Sequence, residues 1–246
     1  MAIQIPILID PSQIWVDSRG SFTESYNQRR LSEIGIDDIF VQDNEVSSCY
    51  GVIRGLHFQS PPFSQSKLIR VVSGEILDVV VDIRKYSPNY GNVYRFILTS
   101  DNRNQLYIPK GFAHGYSVLS SSAVVLYKCD NFYNSSFEGA INALDSSLNI
   151  NWMVPKSKIL RSVKDVKAKD FLETVLSRTK ADVLSVILEK EAHNFLWKKT
   201  RKSRVGICCG ILAFAALYVM SLFVWDIDFC RKYALHRQLS FAVCQK

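Results

Sequence analysis

Between Phe40 and about Asn131 the chain breaks into short runs rich in β-branched and aromatic residues, each closed by turn-forming residues. The runs are Lys67–Val72, Glu75–Asp82, Val93–Thr99, Gln105–Ile108, Gly115–Leu119 and Ala123–Lys128. Ser73-Gly74, Ser87-Pro88-Asn89-Tyr90-Gly91, Ser100-Asp101-Asn102 and Pro109-Lys110-Gly111 separate them. Side chains branched at Cβ lose rotamer freedom in a helix but pack well on a pleated sheet. Many short strands at near-regular spacing, with almost no helical period, predict an all-β sandwich or jelly roll. Met1–Asp10 reads as a first strand, since it lacks the basic start and apolar centre of a signal peptide. One helical stretch is expected near Gln28–Glu33, and no internal repeat is apparent.

After Trp152 the character changes. Leu172, Leu176, Val183 and Ile187 keep steps of four and seven, which predicts an amphipathic helix between Leu172 and Trp197. Val205–Trp225 follows, 21 residues without a charge. As a helix it would measure roughly 31 Å, enough to cross a hydrocarbon core. The expected organisation is therefore a barrel domain over 1–172, a basic helical linker over 173–204, a candidate transmembrane helix over 205–225 and a short tail over 226–246. A buried helix of a soluble domain is the competing reading of 205–225. Five Lys and Arg lie just before the apolar stretch, against Arg231 and Lys232 after it. Positive-inside bias then leaves the first domain in the cytoplasm.

The net charge of +7 is located mainly in the tail. Residues 1–172 carry 18 Lys and Arg against 17 Asp and Glu, so no basic stripe for nucleic acid is visible on the first domain. Only Cys49 and Cys129 of the six cysteines fall there, and no Cys-x-x-Cys pair occurs, which fits a reducing compartment.

Arg54-Gly55-Leu56-His57-Phe58-Gln59, then Lys67, then His114 in Ile108-Pro-Lys-Gly-Phe-Ala-His-Gly115, all lie at strand ends that can meet in one barrel mouth. A histidine, a lysine and an arginine converging there suit proton abstraction beside a carbonyl in a phosphate-bearing substrate. A strand histidine is more often simply packed, but His57 is one of two histidines in the domain and has two cations close in sequence. Arg54 and His57 are three residues apart, so a regular strand points them to opposite faces and a bend is needed to bring both into one pocket. A metal site built from His57, Glu75 and His114 is the rival, because such sites need at least three protein ligands. Gly55 stands where a His-x-His metal pair would need its first histidine.

From Asp17 to about Phe171 the chain resembles the dTDP-4-dehydrorhamnose 3,5-epimerases and their sister nucleotide-sugar epimerases. The resemblance runs in order through Asp17–Glu24, Phe40–Asn44, Val52–Gln59, Gln65–Arg70, Gly74–Arg84, Ser87-Pro88, Gln105–Gly115, Leu126–Lys128, Asn131–Gly139 and Ser162–Asp165. It implies a double-stranded β-helix or jelly-roll (cupin) barrel, a homodimer, and no metal or organic cofactor. The implied reaction inverts C3 and C5 of a nucleoside-diphosphate 4-keto-6-deoxy sugar, converting dTDP-4-dehydro-6-deoxyglucose to dTDP-4-dehydrorhamnose.

By the same resemblance His57 is the general base, Asp165 the carboxylate that orients it, Lys67 the cation near the keto oxygen and Tyr127 the acid on the opposite face. Tyr133 is a second candidate acid, and Asp170 the fallback for Asp165. A packed strand aromatic is the plain reading of Tyr127. Arg19, Glu24, Gln42, Asn44, Arg54, His114, Glu138 and Lys164 fall on substrate-binding positions, with His114 paired to Asp78. Arg19 and Arg54 suit the diphosphate, since the guanidinium fork matches phosphate oxygens. Phe132 stands where the family often has tyrosine, and the tail beyond about Leu172 has no family counterpart. A metal-dependent cupin oxygenase or isomerase, and a non-catalytic sugar-nucleotide binding module, remain the alternatives.

Overall fold

The computed structural model describes residues 5–174. Twelve strands are laid down in chain order: β1 (Ile7–Ile9), β2 (Ile14–Asp17), β3 (Gly20–Thr23), β4 (Gln42–Cys49), β5 (Ile53–Gln59), β6 (Lys67–Ser73), β7 (Glu75–Asp82), β8 (Val93–Thr99), β9 (Gln105–Ile108), β10 (Phe112–Val118), β11 (Ser122–Cys129) and β12 (Glu138–Ala140). Helix α1 (Gln28–Glu33) and the short helix α2 (Val163–Val166) complete the set, with single 3₁₀ turns between β11 and α2. One sheet has the order β1-β9-β6-β11-β4, the other β12-β5-β10-β7-β8, and every named pair is antiparallel. β2 and β3 form a separate hairpin.

Burial sorts the apolar residues into three layers. Ile69, Val71, Ile76, Val80, Leu106, Ile108, Val118 and Val125 fill the space between the sheets. The far face of the second sheet, through Leu56, Phe58, Leu77, Val79 and Val81, is covered by Ile141, Ala143, Leu148 and Trp152. On the far face of the first sheet, Leu68 and Tyr107 pack under Leu31 and Ile36. The central strands β7 and β10 are thus covered on both sides, which is why β7 reads as a nearly unbroken apolar run.

The expected strands over Glu75–Asp82, Val93–Thr99 and Gln105–Ile108, and the helix over Gln28–Glu33, match the observed bounds. β10 starts three residues earlier than the expected Gly115, because Phe112–His114 continue the ladder with Asp82–Val80 of β7. β4 is polar (Gln-Asp-Asn-Glu-Val-Ser-Ser-Cys) and carries little strand propensity, yet pairs with β11 along its whole length. Its alternate residues Gln42, Asn44, Val46 and Ser48 face the interior of the sandwich, while Asp43, Glu45 and Ser47 face solvent.

Beyond β12 the chain wraps the second sheet. Trp152 donates its indole N–H to the Ala143 carbonyl at 2.7 Å, and its own carbonyl accepts from Ser117 at 2.7 Å. Single parallel bridges, Val52 to Leu160 and Ile141 to Lys169, carry the chain past the end of β5 to α2. Among the described residues no helix is long and apolar enough to cross a membrane. The candidate span 205–225, the tail after it and all but the start of the expected linker lie outside the described residues.

Candidate active site

A bulge in β5 assembles the floor of the site. His57 pairs with His114, and Arg54 pairs with Tyr116, so three steps on β5 oppose two on β10. The extra residue turns Arg54 back to the inner face that His57 shares with His114 and Tyr116. Gly55, inside the bulge, has φ +124°, and a Cβ there would lie 2.6 Å from Gly115 Cα and 2.8 Å from the His114 carbonyl oxygen. No larger residue fits that crossing. The bend required by the Arg54/His57 spacing is therefore a glycine bulge, and Arg54 Nε donates to Ser48 Oγ across the sandwich at 3.0 Å.

His57 is held from outside the barrel. Asp165 Oδ1 lies 2.5 Å from His57 Nε2, and the carboxylate is almost fully buried. Ser162 caps α2 and accepts from the Asp165 N–H at 3.1 Å, while Arg161 donates to the Asp165 carbonyl. A carboxylate accepts, so Nε2 carries the proton and Nδ1 is left with its lone pair. Burial pushes the His57 pKa below its ordinary value; Asp165 opposes this, and Lys164 and Lys67 add to it. The imidazole is accordingly neutral at neutral pH and basic at Nδ1. Asp170, the fallback, accepts instead from Asn142 Nδ2 at 2.8 Å.

The first sheet supplies the opposite wall. Tyr127 pairs with Asn44, and Cys129 pairs with both Gln42 and Lys67, so these side chains share the inner face. Lys67 Nζ stands 5.6 Å from the centre of the Tyr127 ring. Burial depresses the Lys67 ammonium from its ordinary pKa, with Cys129, Asp78 and Glu138 acting against the shift. Burial pushes the Tyr127 phenol up to about 12, and Arg54 counters it. Gln42 Nε2 donates to Asn44 Oδ1 at 3.0 Å.

The rim joins the two sheets. Gln42 Oε1 accepts from the Tyr133 N–H at 3.1 Å, and Gln59 Oε1 from the Asn134 N–H at 3.1 Å. Glu138 takes the Tyr133 hydroxyl at 2.7 Å and pairs with Lys164. Burial alone would raise the Glu138 pKa, but those two partners outweigh it and hold the carboxyl below its usual range. His114 Nε2 lies 2.9 Å from the fully buried Asp78, deeper in the same face.

Ten of the twelve expected site residues therefore belong to one constellation: His57, Tyr127, Asp165, Lys67, Gln42, Asn44, Arg54, His114, Glu138 and Lys164. The other two do not join it within the chain. Arg19 is 88% exposed at its side chain and is held by Asp17 at 2.6 Å. Glu24 accepts from Asn27 and faces Arg30, on the side of the first sheet where Leu68, not Lys67, points. Glu75, the expected third metal donor, is five residues from Val80, the β7 partner of His114, and so lies on the opposite face. Among the described residues no three His, Cys, Asp or Glu are grouped to hold a metal ion. Ser48, Gln59 and Tyr116 also line the inner face; as small polar or aromatic strand residues they carry no sequence signal of their own.

Comparison with known proteins places this fold. The family model described as dTDP-4-dehydrorhamnose 3,5-epimerase matches residues 1–173. The dTDP-4-dehydrorhamnose 3,5-epimerase of Shigella flexneri is 45% identical over 172 residues, covering 69% of this chain and 94% of that one. The solved dTDP-4-dehydrorhamnose 3,5-epimerase of Elizabethkingia anophelis superposes with a TM-score of 0.66 at 41% identity, covering 70% of this chain and 96% of that one. The dTDP-6-deoxy-D-glucose-3,5-epimerase of Legionella pneumophila, solved in complex with dTDP-4-keto-L-rhamnose, gives a TM-score of 0.65 at 44% identity, with coverage of 69% and 90%.

Proposed function

The chain belongs to the dTDP-4-dehydrorhamnose 3,5-epimerase family, and we propose that its ten-residue constellation carries out that family's reaction. The protein is a carbohydrate epimerase that converts dTDP-4-dehydro-6-deoxyglucose to dTDP-4-dehydrorhamnose. The protons exchanged lie at C3 and C5, on either side of the C4 keto group.

His57 Nδ1 takes the C–H proton, and the bonding pair moves to the C4 oxygen as an enolate. Lys67, an ammonium inside the barrel, offsets the charge on that oxygen; such preorganised donors stabilise the developing charge most where water is excluded. Asp165 stabilises the imidazolium that results. The enolate pair then returns to carbon, which takes the Tyr127 phenolic proton from the opposite face, so the centre inverts. Tyr127 regains its proton and His57 loses one before the second centre reacts. Arg54 engages the diphosphate, and Gln42, Asn44, His114, Glu138 and Lys164 hold the remainder of the nucleotide sugar.

The observation that carries this reading is His57, with Nε2 fixed by Asp165, on the inner face of one sheet while Lys67 and Tyr127 stand together on the inner face of the other. Incubation with dTDP-4-keto-6-deoxyglucose in deuterated buffer should place deuterium at C3 and C5. Folded protein without exchange, or undiminished exchange in His57→Ala, overturns it.

The working unit in this reading is a homodimer. The β2–β3 hairpin leaves Trp15, Val16 and Phe22 exposed by 49%, 76% and 66%, an apolar surface suited to covering by a second subunit. Arg19 and Glu24 of the partner subunit then complete the substrate site. The free thiols of Cys49 and Cys129 agree with a cytoplasmic setting. Residues 1–172 form the epimerase domain in this scheme.

A further inference from the structure

Arg161 is half-buried, and the hydrogen bonds it makes go to neutral acceptors. Its Nη2 donates to Asn142 Oδ1 at 2.9 Å and to the Asp165 carbonyl, while its Nε is buried without a partner among the described residues. Burial lowers the guanidinium pKa from its ordinary range, and the Asp165 charge opposes the shift. A cation in that place carries a desolvation cost that an apolar side chain avoids. What it holds together gives the reason for it.

Residues 160–169 form a loop fixed at both ends. The Leu160 carbonyl accepts from the Ile53 N–H at 2.9 Å, and the Lys169 carbonyl from the Asn142 N–H at 2.7 Å. Between these anchors lies α2, a single turn and too short to persist by itself. Arg161 crosses the loop. Its footing, Asn142, stands two residues beyond Ala140, the β12 partner of His57. Asn142 Oδ1 also accepts from the Leu144 N–H at 3.1 Å, and Nδ2 donates to Asp170 Oδ1 at 2.8 Å. The amide is thereby fixed with its oxygen toward the guanidinium. An unbroken line of hydrogen bonds runs from Asp170 through Asn142 and Arg161 to the backbone of Asp165, whose carboxylate meets His57 at 2.5 Å.

We propose that Arg161 is a positioning residue for the general base: braced on Asn142, it holds the Asp165 backbone so that the carboxylate keeps its contact with His57 Nε2. It acts through Asp165, and the inference rests on His57 being the base.

Asp165 and Lys164 face the imidazole from α2, Lys67 from β6, Glu138 from β12 and His114 from β10. Asp165 raises the His57 pKa, against burial and the two lysines. A loosened Asp165 contact therefore moves that pKa down, whereas loss of a nearby cation acting only through its charge moves it up. The sign separates positioning from electrostatics.

The test uses the full chain with dTDP-4-keto-6-deoxyglucose, following kcat/KM against pH together with thermal unfolding. Arg161→Met should lower kcat about tenfold with KM changed by no more than about twofold, and shift the acid limb to lower pH. Asn142→Ala keeps the guanidinium but removes its footing, and should shift the limb the same way. The double variant should do no more than the larger single change, and Arg161→Met should have no further effect on kcat in an Asp165→Asn background. An acid limb that stays in place or moves up in folded Arg161→Met overturns the inference. Should that variant not fold, an unmoved limb in Asn142→Ala overturns it instead. Undiminished deuterium exchange in His57→Ala sinks the assignment of the base, so the two failures are distinguishable.

Discussion

Asp165 Oδ1 meets His57 Nε2 at 2.5 Å across 108 residues of sequence. The contact exists because the chain beyond β12 crosses the second sheet and returns α2 to the end of β5. A carboxylate on Nε2 determines which ring nitrogen keeps its lone pair. Asp165→Asn removes the negative charge that stabilises the imidazolium, and kcat should fall about 10²-fold or more. A circular dichroism spectrum like that of the wild type would accompany the loss, and near-normal turnover in a folded Asp165→Asn protein contradicts the assignment.

The pH profile follows from two shifts of the same physical origin. Burial lowers His57 from its ordinary 6.5, so the base form persists below that value and kcat/KM falls only at lower pH, as the imidazole protonates. Burial also lowers Lys67 from 10.5, so activity declines on the alkaline side before that pH, as the ammonium loses its proton. Lys164→Met removes a cation that depresses His57, and the acid limb should move to higher pH. A limb that stays in place or moves down would count against the scheme.

Lys67→Met tests the enolate partner. Loss of a charge aimed at a developing oxyanion should cost kcat about 10²–10³-fold, with a much smaller change in KM. Because burial disfavours the ammonium, the variant should melt no lower than the parent, which thermal unfolding would show.

Gly55→Ala places a Cβ 2.6 Å from Gly115 Cα at a φ of +124°. The expected destabilisation is about 1–3 kcal/mol or more. Since the bulge sets which way Arg54 faces, activity should fall further than the loss of folded protein explains. Active-site titration alongside the melting curve separates the two effects.

Arg19 touches little but Asp17 within its own chain, so Arg19→Ala should leave the melting temperature unchanged. In the dimer scheme it should raise KM. Replacing both Trp15 and Phe22 by Ser should shift the mass by light scattering from two subunits to one; a monomeric parent protein rules the scheme out.

Strand content was legible wherever at least one side of a strand packs on apolar neighbours and turn residues bound it, as in β7, β8 and β9. β4 escaped that reading because its inward residues Gln42 and Asn44 line a polar site rather than a core. The candidate site was legible mainly through the resemblance: Asp165 lies on a four-residue helix with no periodic pattern to mark it. Tyr116 escaped because a buried tyrosine looks, in sequence, like any strand aromatic.

The order of short apolar runs and turns was enough to specify a two-sheet barrel, since period-two burial and turn chemistry are local properties of the chain. Which face each candidate site residue takes was decided only in three dimensions. One extra residue at Gly55 reverses the alternation that would separate Arg54 from His57, and long-range packing of the chain around Trp152 brings Asp165 to the imidazole. Pairing across sheets depends on contacts far apart in sequence, and these arise from the packing of the whole domain.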